Sequence, residues 1–122
     1  MSPMPVIYIA GKFRGPNAWE VELNIREAEE LGLAVARNGG SPLIPHTNTR
    51  FFNGTCTEQF WLDATMALLR KCDAVMTVRN WNNSLGAIEE VKEARLLEIP
   101  VFHNLDVLTL WMEAWQQNRA SA

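Results

Sequence analysis

The chain is poor in cysteine, with only Cys56 and Cys72 among its 122 residues. Two thiols cannot build a disulfide framework. No Cys-x-x-Cys or His-x-x-x-His spacing occurs either, which argues against a structural zinc site. No apolar run approaches the roughly 20 residues that span a bilayer. The opening segment MSPMPVIYIAG has neither a basic start nor a small-residue cleavage site, so it is not expected to act as a secretory signal. Positive charge is also scarce: 11 Lys and Arg stand against 14 Asp and Glu, for a net charge of -3. Nothing in that balance attracts nucleic acid or an anionic membrane. Internal repeats, linkers and low-complexity stretches are missing as well. These absences predict a cytoplasmic protein with no contact with nucleic acid or membrane, and neither cofactor nor metal is expected. At this length, residues 1–122 are expected to form one domain.

What is present suits a folded protein. Hydrophobic residues make up 48% and charged residues 20%, enough apolar surface to offset the entropy of ordering. Five Trp in so short a chain point either to a partner surface or stacking pocket, or to plain core filling. Cys72, in LLRKCDAVM, reads as a buried neutral thiol, whereas Cys56 lies in a polar loop.

Strand and helix signals alternate. Residues 6–10 form a β-branched run closed by Gly11, which predicts a buried strand. Asn17 opens a helix with Glu20 three residues on, and Val21, Ile25, Ala28, Leu31 and Val35 form its apolar stripe. Asn38-Gly39-Gly40 stops it. Residues 42–45 make a second strand, short or at an edge because prolines bracket it. Residues 46–56 read as a polar loop with Arg50, Phe51 and Phe52. A second helix begins near Thr57, a third strand covers residues 73–78, and residues 80–83 turn into a third helix capped by Ser84. Residues 99–102 form the fourth strand. The last helix carries Leu108, Trp111 and Trp115 on one face, and residues 119–122 are expected to fray.

Four strand–helix units with short connections predict an α/β fold. It should be a doubly wound, flavodoxin- or Rossmann-like three-layer sandwich, with a mainly parallel sheet of four to five strands in the order 2-1-3-4. Ligands in such sheets sit outside the carboxyl ends of the strands where the order reverses. That places the chemistry at residues 11–17 and 80–90.

Gly11-Lys12-Phe13-Arg14-Gly15 follows the first strand directly. Two glycines allow a tight turn, and two cations beside a helix start suit a phosphate or carboxylate, although a solvated turn would use the same residues. Ser84, with the free N–H groups behind it, makes a second anion cradle. The neighbouring glutamates differ. At about 100° per residue, Glu89 lies opposite the Ala87, Val91 and Ala94 stripe, whereas Glu90 shares a border with Gly86 and Ala94. Glu90 is therefore the candidate nucleophile or base, and Glu89 its solvated control. His46 ends the second strand on the ligand side, either to protonate or hydrogen-bond a ligand or simply to pack the loop. Phe51, Phe52 and Trp81 either stack a flat ligand or pack under the loop, and Asn48 and Asn82 can hydrogen-bond such a ligand's edge.

Tyr8-Ile9-Ala10-Gly11 with Arg14-Gly15, together with Ser84-x-Gly86-x-x-x-Glu90, resembles the nucleoside 2-deoxyribosyltransferase superfamily. By motif the chain is similar to its deoxynucleoside 5'-monophosphate N-glycosidases and to its short bacterial and phage members. The resemblance implies that Glu90 attacks C1' of deoxyribose to give a glycosyl-enzyme, with Tyr8 beside it. It also implies that Lys12, Arg14 and Ser84 hold a 5'-phosphate and that Gly86 lets the backbone approach. Homodimers or higher homo-oligomers are implied too. Two departures stand out. Thr65 occupies a position where the family usually has an aspartate, the nearest carboxylate being Asp63, and Lys92 replaces a frequent glycine. The first of these leaves open a nucleotide-binding or sensing module with impaired catalysis.

Overall fold

The computed structural model describes residues 2–52 and 54–120. Its centre is β1 (Val6–Ala10), in which Ile7, Tyr8, Ile9 and Ala10 are completely buried. Hydrophobicity on both faces is what a central parallel strand requires. β1 is flanked by β2 (Ser41–Leu43) and β3 (Ala74–Thr77), and β4 (Val101–Phe102) lies beyond β3. All pairings are parallel and the order is β2-β1-β3-β4. The expected order 2-1-3-4 is the observed one, with four strands among the described residues.

The pleat divides the core. Ile7 and Ile9 point to one face, where they meet Ala28 and Val35 of α1 (Ala18–Arg37) and Leu108 and Met112 of α5 (Leu105–Ala120). Tyr8 and Ala10 point to the other, with Leu69 of α3 (Glu58–Leu69) and Ala94 of α4 (Leu85–Leu96). The result is a three-layer sandwich. Each long connection starts with a side-chain cap. Asn17 Oδ1 accepts from the Glu20 N–H at 2.8 Å, Thr57 Oγ1 from Phe60 at 3.1 Å and Ser84 Oγ from Ala87 at 3.2 Å. Each cap satisfies an N–H that a helix start leaves without an internal partner.

The fold differs from the sequence expectation in a few places. Pro45 does not close a strand. It opens the single turn α2 (Pro45–Asn48) within the expected loop, because its fixed φ suits a first helical position. β4 has two residues, although the Pro100 carbonyl still accepts from Val75 N–H at 2.9 Å. On α5 the inward stripe is Leu108 and Met112. Trp111 is half-buried against Phe102, and Trp115 holds the Arg119 guanidinium 3.8 Å above its ring. α5 continues through Arg119 and Ala120, so that part of the expected frayed tail is helical; residues 121–122 lie outside the described ones. Cys72 is buried, and burial pushes its thiol up to about 11, whereas Cys56 is exposed. No helix among the described residues is long and apolar enough to cross a membrane.

Candidate active site

Beyond the carboxyl ends of β1 and β3, the strands at which the order reverses, the chain forms a cavity of 490 Å³ that opens to solvent. Gly11, Lys12, Phe13 and Arg14 form one wall, and Asn83 to Ala87 with Glu89 and Glu90 form another. Residues of α2 and α3 close the remaining side.

Within this cavity Glu90 is the buried carboxyl group, 8% exposed in the second turn of α4. The Tyr8 hydroxyl donates to Glu90 Oε2. Tyr8 is completely buried and reaches α4 because, of the β1 residues on that face, it carries the long side chain. Desolvation raises the Glu90 carboxyl to about 7, even though the Tyr8 hydrogen bond pulls it down. Burial also drives the Tyr8 phenol well above its ordinary range, with the Glu90 charge adding to the effect. The phenol therefore stays protonated and remains a donor. Glu89 also borders the cavity but is exposed, with Lys92 Nζ 3.5 Å away. The helical phase thus separates the two glutamates as the spacing predicts.

Gly11 lies where the backbone leaves β1 against Val78. A Cβ there would come within 2.2 Å of Val78 Cγ2, so only glycine fits. Gly86 is the opposite case: a Cβ would meet nothing nearer than Ser84 Oγ at 3.8 Å, so its backbone is bare beside the cavity. Ser84 lines the cavity while capping α4. Lys12 and Arg14 are both exposed, and Arg14 Nη1 lies 2.8 Å from Glu58 Oε1, so its guanidinium is already paired. Gly15 packs against Glu20 and Val21 at the start of α1 and does not line the cavity.

His46, 4% exposed, borders the cavity from α2. Its Nε2 lies 3.2 Å from the Gly11 carbonyl and 3.1 Å from that of Lys12. Carbonyls only accept, so the network assigns the proton to Nε2, and the buried Nδ1 has no partner. Burial lowers the ring pKa, which favours this neutral form. Asn48 is exposed and outside the cavity. Trp81 lies on the opposite face of the sheet, packed on the α1 and α5 core and stacked on His103 with ring centroids 5.1 Å apart. That face cannot stack a base in the cavity.

Asp63 is exposed and accepts from Gln59 at 2.9 Å. Two helical residues away, Thr65 borders the cavity near Tyr8, and its hydroxyl donates to the Leu62 carbonyl at 3.0 Å. Phe51 is 83% exposed, and Phe52 stacks on Trp61. The sequence reading missed Glu58, Trp61, Leu62 and Leu85, all of which line the cavity. Trp61 and Leu62 precede the polar 63 position on α3, and the helical phase of Thr65 was the signal that could have pointed to them. Among the described residues no group of three or more His, Cys, Asp or Glu is arranged to hold a metal ion.

Residues 5–104 match the family described as Domain of unknown function (DUF7768). No curated protein sequence matches the chain. Among solved structures, a 2-deoxyribosyltransferase from the psychrotolerant bacterium Bacillus psychrosaccharolyticus superposes with a TM-score of 0.57. It is 17% identical over 84% of this chain and 79% of that one. At such an identity the likeness is one of fold, and it agrees with the strand order and layers described above. The chain belongs to the DUF7768 family and shares the fold of that 2-deoxyribosyltransferase.

Proposed function

We propose that this protein acts on the N-glycosidic bond of a 2'-deoxynucleoside or its 5'-monophosphate, through residues 1–122 working as one domain. The observation behind this reading is the Glu90 carboxyl, buried beside the cavity and held by the Tyr8 hydroxyl. A carboxyl in an apolar wall is a poorly solvated and therefore reactive anion once it ionises. One Glu90 oxygen attacks C1' of the sugar. The C1'–N bond breaks, its electron pair leaves with the base, and the base takes up a proton from solvent; where water attacks next, it returns one. The resulting glycosyl ester is then attacked at C1' by water or a second base, which frees the carboxylate with net retention. Tyr8 fixes the carboxylate rotamer during both steps. Lys12, Arg14, Ser84 and Gly86 line the wall where the rest of the ligand would lie, with the buried His46 beside them. The sugar class enters from the named activity of the structurally similar enzyme.

The test is release of free base from each 2'-deoxynucleoside and its monophosphate. Glu90→Gln, which keeps the size and the acceptor for Tyr8, should lower turnover by about 10³-fold or more. Turnover equal to wild type would end the reading. A second reading, a binding or sensing module, is favoured by one observation. Thr65 puts a hydroxyl next to Tyr8, and Asp63 points to solvent without replacing it. Nucleotide binding by calorimetry with no base released would select that module. Self-association remains part of the proposal, supported by exposed apolar residues such as Leu110 and Trp19; light scattering tests it, and a monomer would remove it.

A further inference from the structure

Five charged side chains border the cavity, Lys12 and Arg14 against Glu58, Glu89 and Glu90. A phosphate entering it would turn to the two cations. One of them is already engaged, because Glu58, in the first turn of α3, places Oε1 2.8 Å from Arg14 Nη1 of the loop after β1. Both partners are largely exposed, 63% and 76%, so the pair contributes little to holding the fold and can rearrange. Its consequence is for what else Arg14 can hold. A dianionic phosphate that reaches Arg14 either displaces the Glu58 carboxylate or binds the other guanidinium N–H groups beside it, and in both cases it meets a like charge close by. Glu89 adds a third negative charge on the same cavity. An uncharged 5'-hydroxyl meets none of this opposition.

We infer that Glu58 is a specificity-determining residue, an internal counter-anion on Arg14 that sets the cavity for uncharged 2'-deoxynucleosides over their 5'-monophosphates. This rests on the ligand class proposed above and decides between its two members. Glu58 is placed for the role by the Thr57 cap, which starts α3 at the cavity edge. Glu58→Gln keeps that cap and nearly the same volume while removing the charge.

The experiment compares the common 2'-deoxynucleosides with their 5'-monophosphates on wild type, Glu58→Gln, and Glu58→Gln combined with Arg14→Gln. The readout is kcat/KM, or Kd by calorimetry where no base is released. Wild type should prefer the nucleoside. Glu58→Gln should shift the monophosphate-to-nucleoside ratio by about fivefold toward the monophosphate, and the added Arg14→Gln should cancel that gain. Wild type preferring the monophosphate, or a ratio that Glu58→Gln leaves unmoved, overturns the inference. The glycosidic reading, which depends on Glu90, would survive that result. If no nucleoside or monophosphate binds any of the proteins, the glycosidic reading falls and this inference falls with it.

Discussion

At the scale of single residues, the pairing of Tyr8 with Glu90 decides the pH behaviour. A nucleophilic carboxyl must be ionised, and burial has moved Glu90 to about 7. On the proposed chemistry, kcat/KM rises about tenfold per pH unit on the acid side and levels off above about 7. The Tyr8 hydroxyl donates to the carboxylate and so opposes the desolvation. Tyr8→Phe removes that donor and keeps the ring, so the profile should move to higher pH and kcat/KM at pH 7 should fall about tenfold. A rate profile of both proteins from pH 5 to pH 9 checks this. A Tyr8→Phe midpoint that stays in place or moves toward acid would show that Glu90 is not the group being read. The pairing itself was half legible in the sequence. The 3.6-residue period singles out Glu90 over Glu89, and the alternation of β1 sets Tyr8 apart from Ile7 and Ile9. Which face each would share needs the strand order as well.

At the scale of elements, the cavity is made where helices begin, and on the proposed function Gly86 sets how close a ligand comes. Gly86 sits in the first turn of α4 with open space where a Cβ would go. Alanine is the better helix former by about 1 kcal/mol and meets no obstacle there. Gly86→Ala should therefore raise stability by about 0.5–1 kcal/mol while weakening ligand binding, since the new methyl enters the cavity wall. Thermal unfolding and ligand titration on the same variant test both halves. A destabilised variant, or one that binds as tightly as wild type, would show that the bare backbone at Gly86 is not part of the site. The elements explain why some expected residues fell outside it. β2 ends at Leu43 and Pro45 starts a helical turn, so His46 faces the cavity while Asn48 turns to solvent. Trp81 follows β3 closely enough to look like a cavity residue in a linear reading. Its short helical turn instead folds it over the α1 face, onto His103. Glu58 gave no linear signal, because its meeting with Arg14 depends on how α3 packs beside the loop after β1.

At the scale of the whole molecule, a net charge of -3 says little about the cavity, where two cations face three carboxyl groups. The global consequence of that site is a dependence of stability on pH. The folded chain holds the Glu90 proton up to about 7, whereas an ordinary glutamate carboxyl titrates near 4.5. Between those values the folded state binds more protons than the unfolded state, so stability falls as pH rises. The contribution is fully present below about 4.5 and lost once pH passes about 7. Ionising the buried carboxyl then costs on the order of 3 kcal/mol. Glu90→Gln has no such charge, and its amide oxygen can still accept from Tyr8. Burial lowers the ring pKa values of His46 and His103, but both rings titrate in either protein and cancel from the difference. Thermal unfolding of the two proteins should therefore give similar midpoints near pH 5. The midpoints should separate as pH rises, until above pH 8 the variant is more stable by roughly 10 °C. A difference that does not vary with pH, or a variant that is less stable at pH 8, would mean that Glu90 is not held at a cost. If the separation appears together with loss of turnover, the fold gives up stability at Glu90 to keep a reactive carboxylate there.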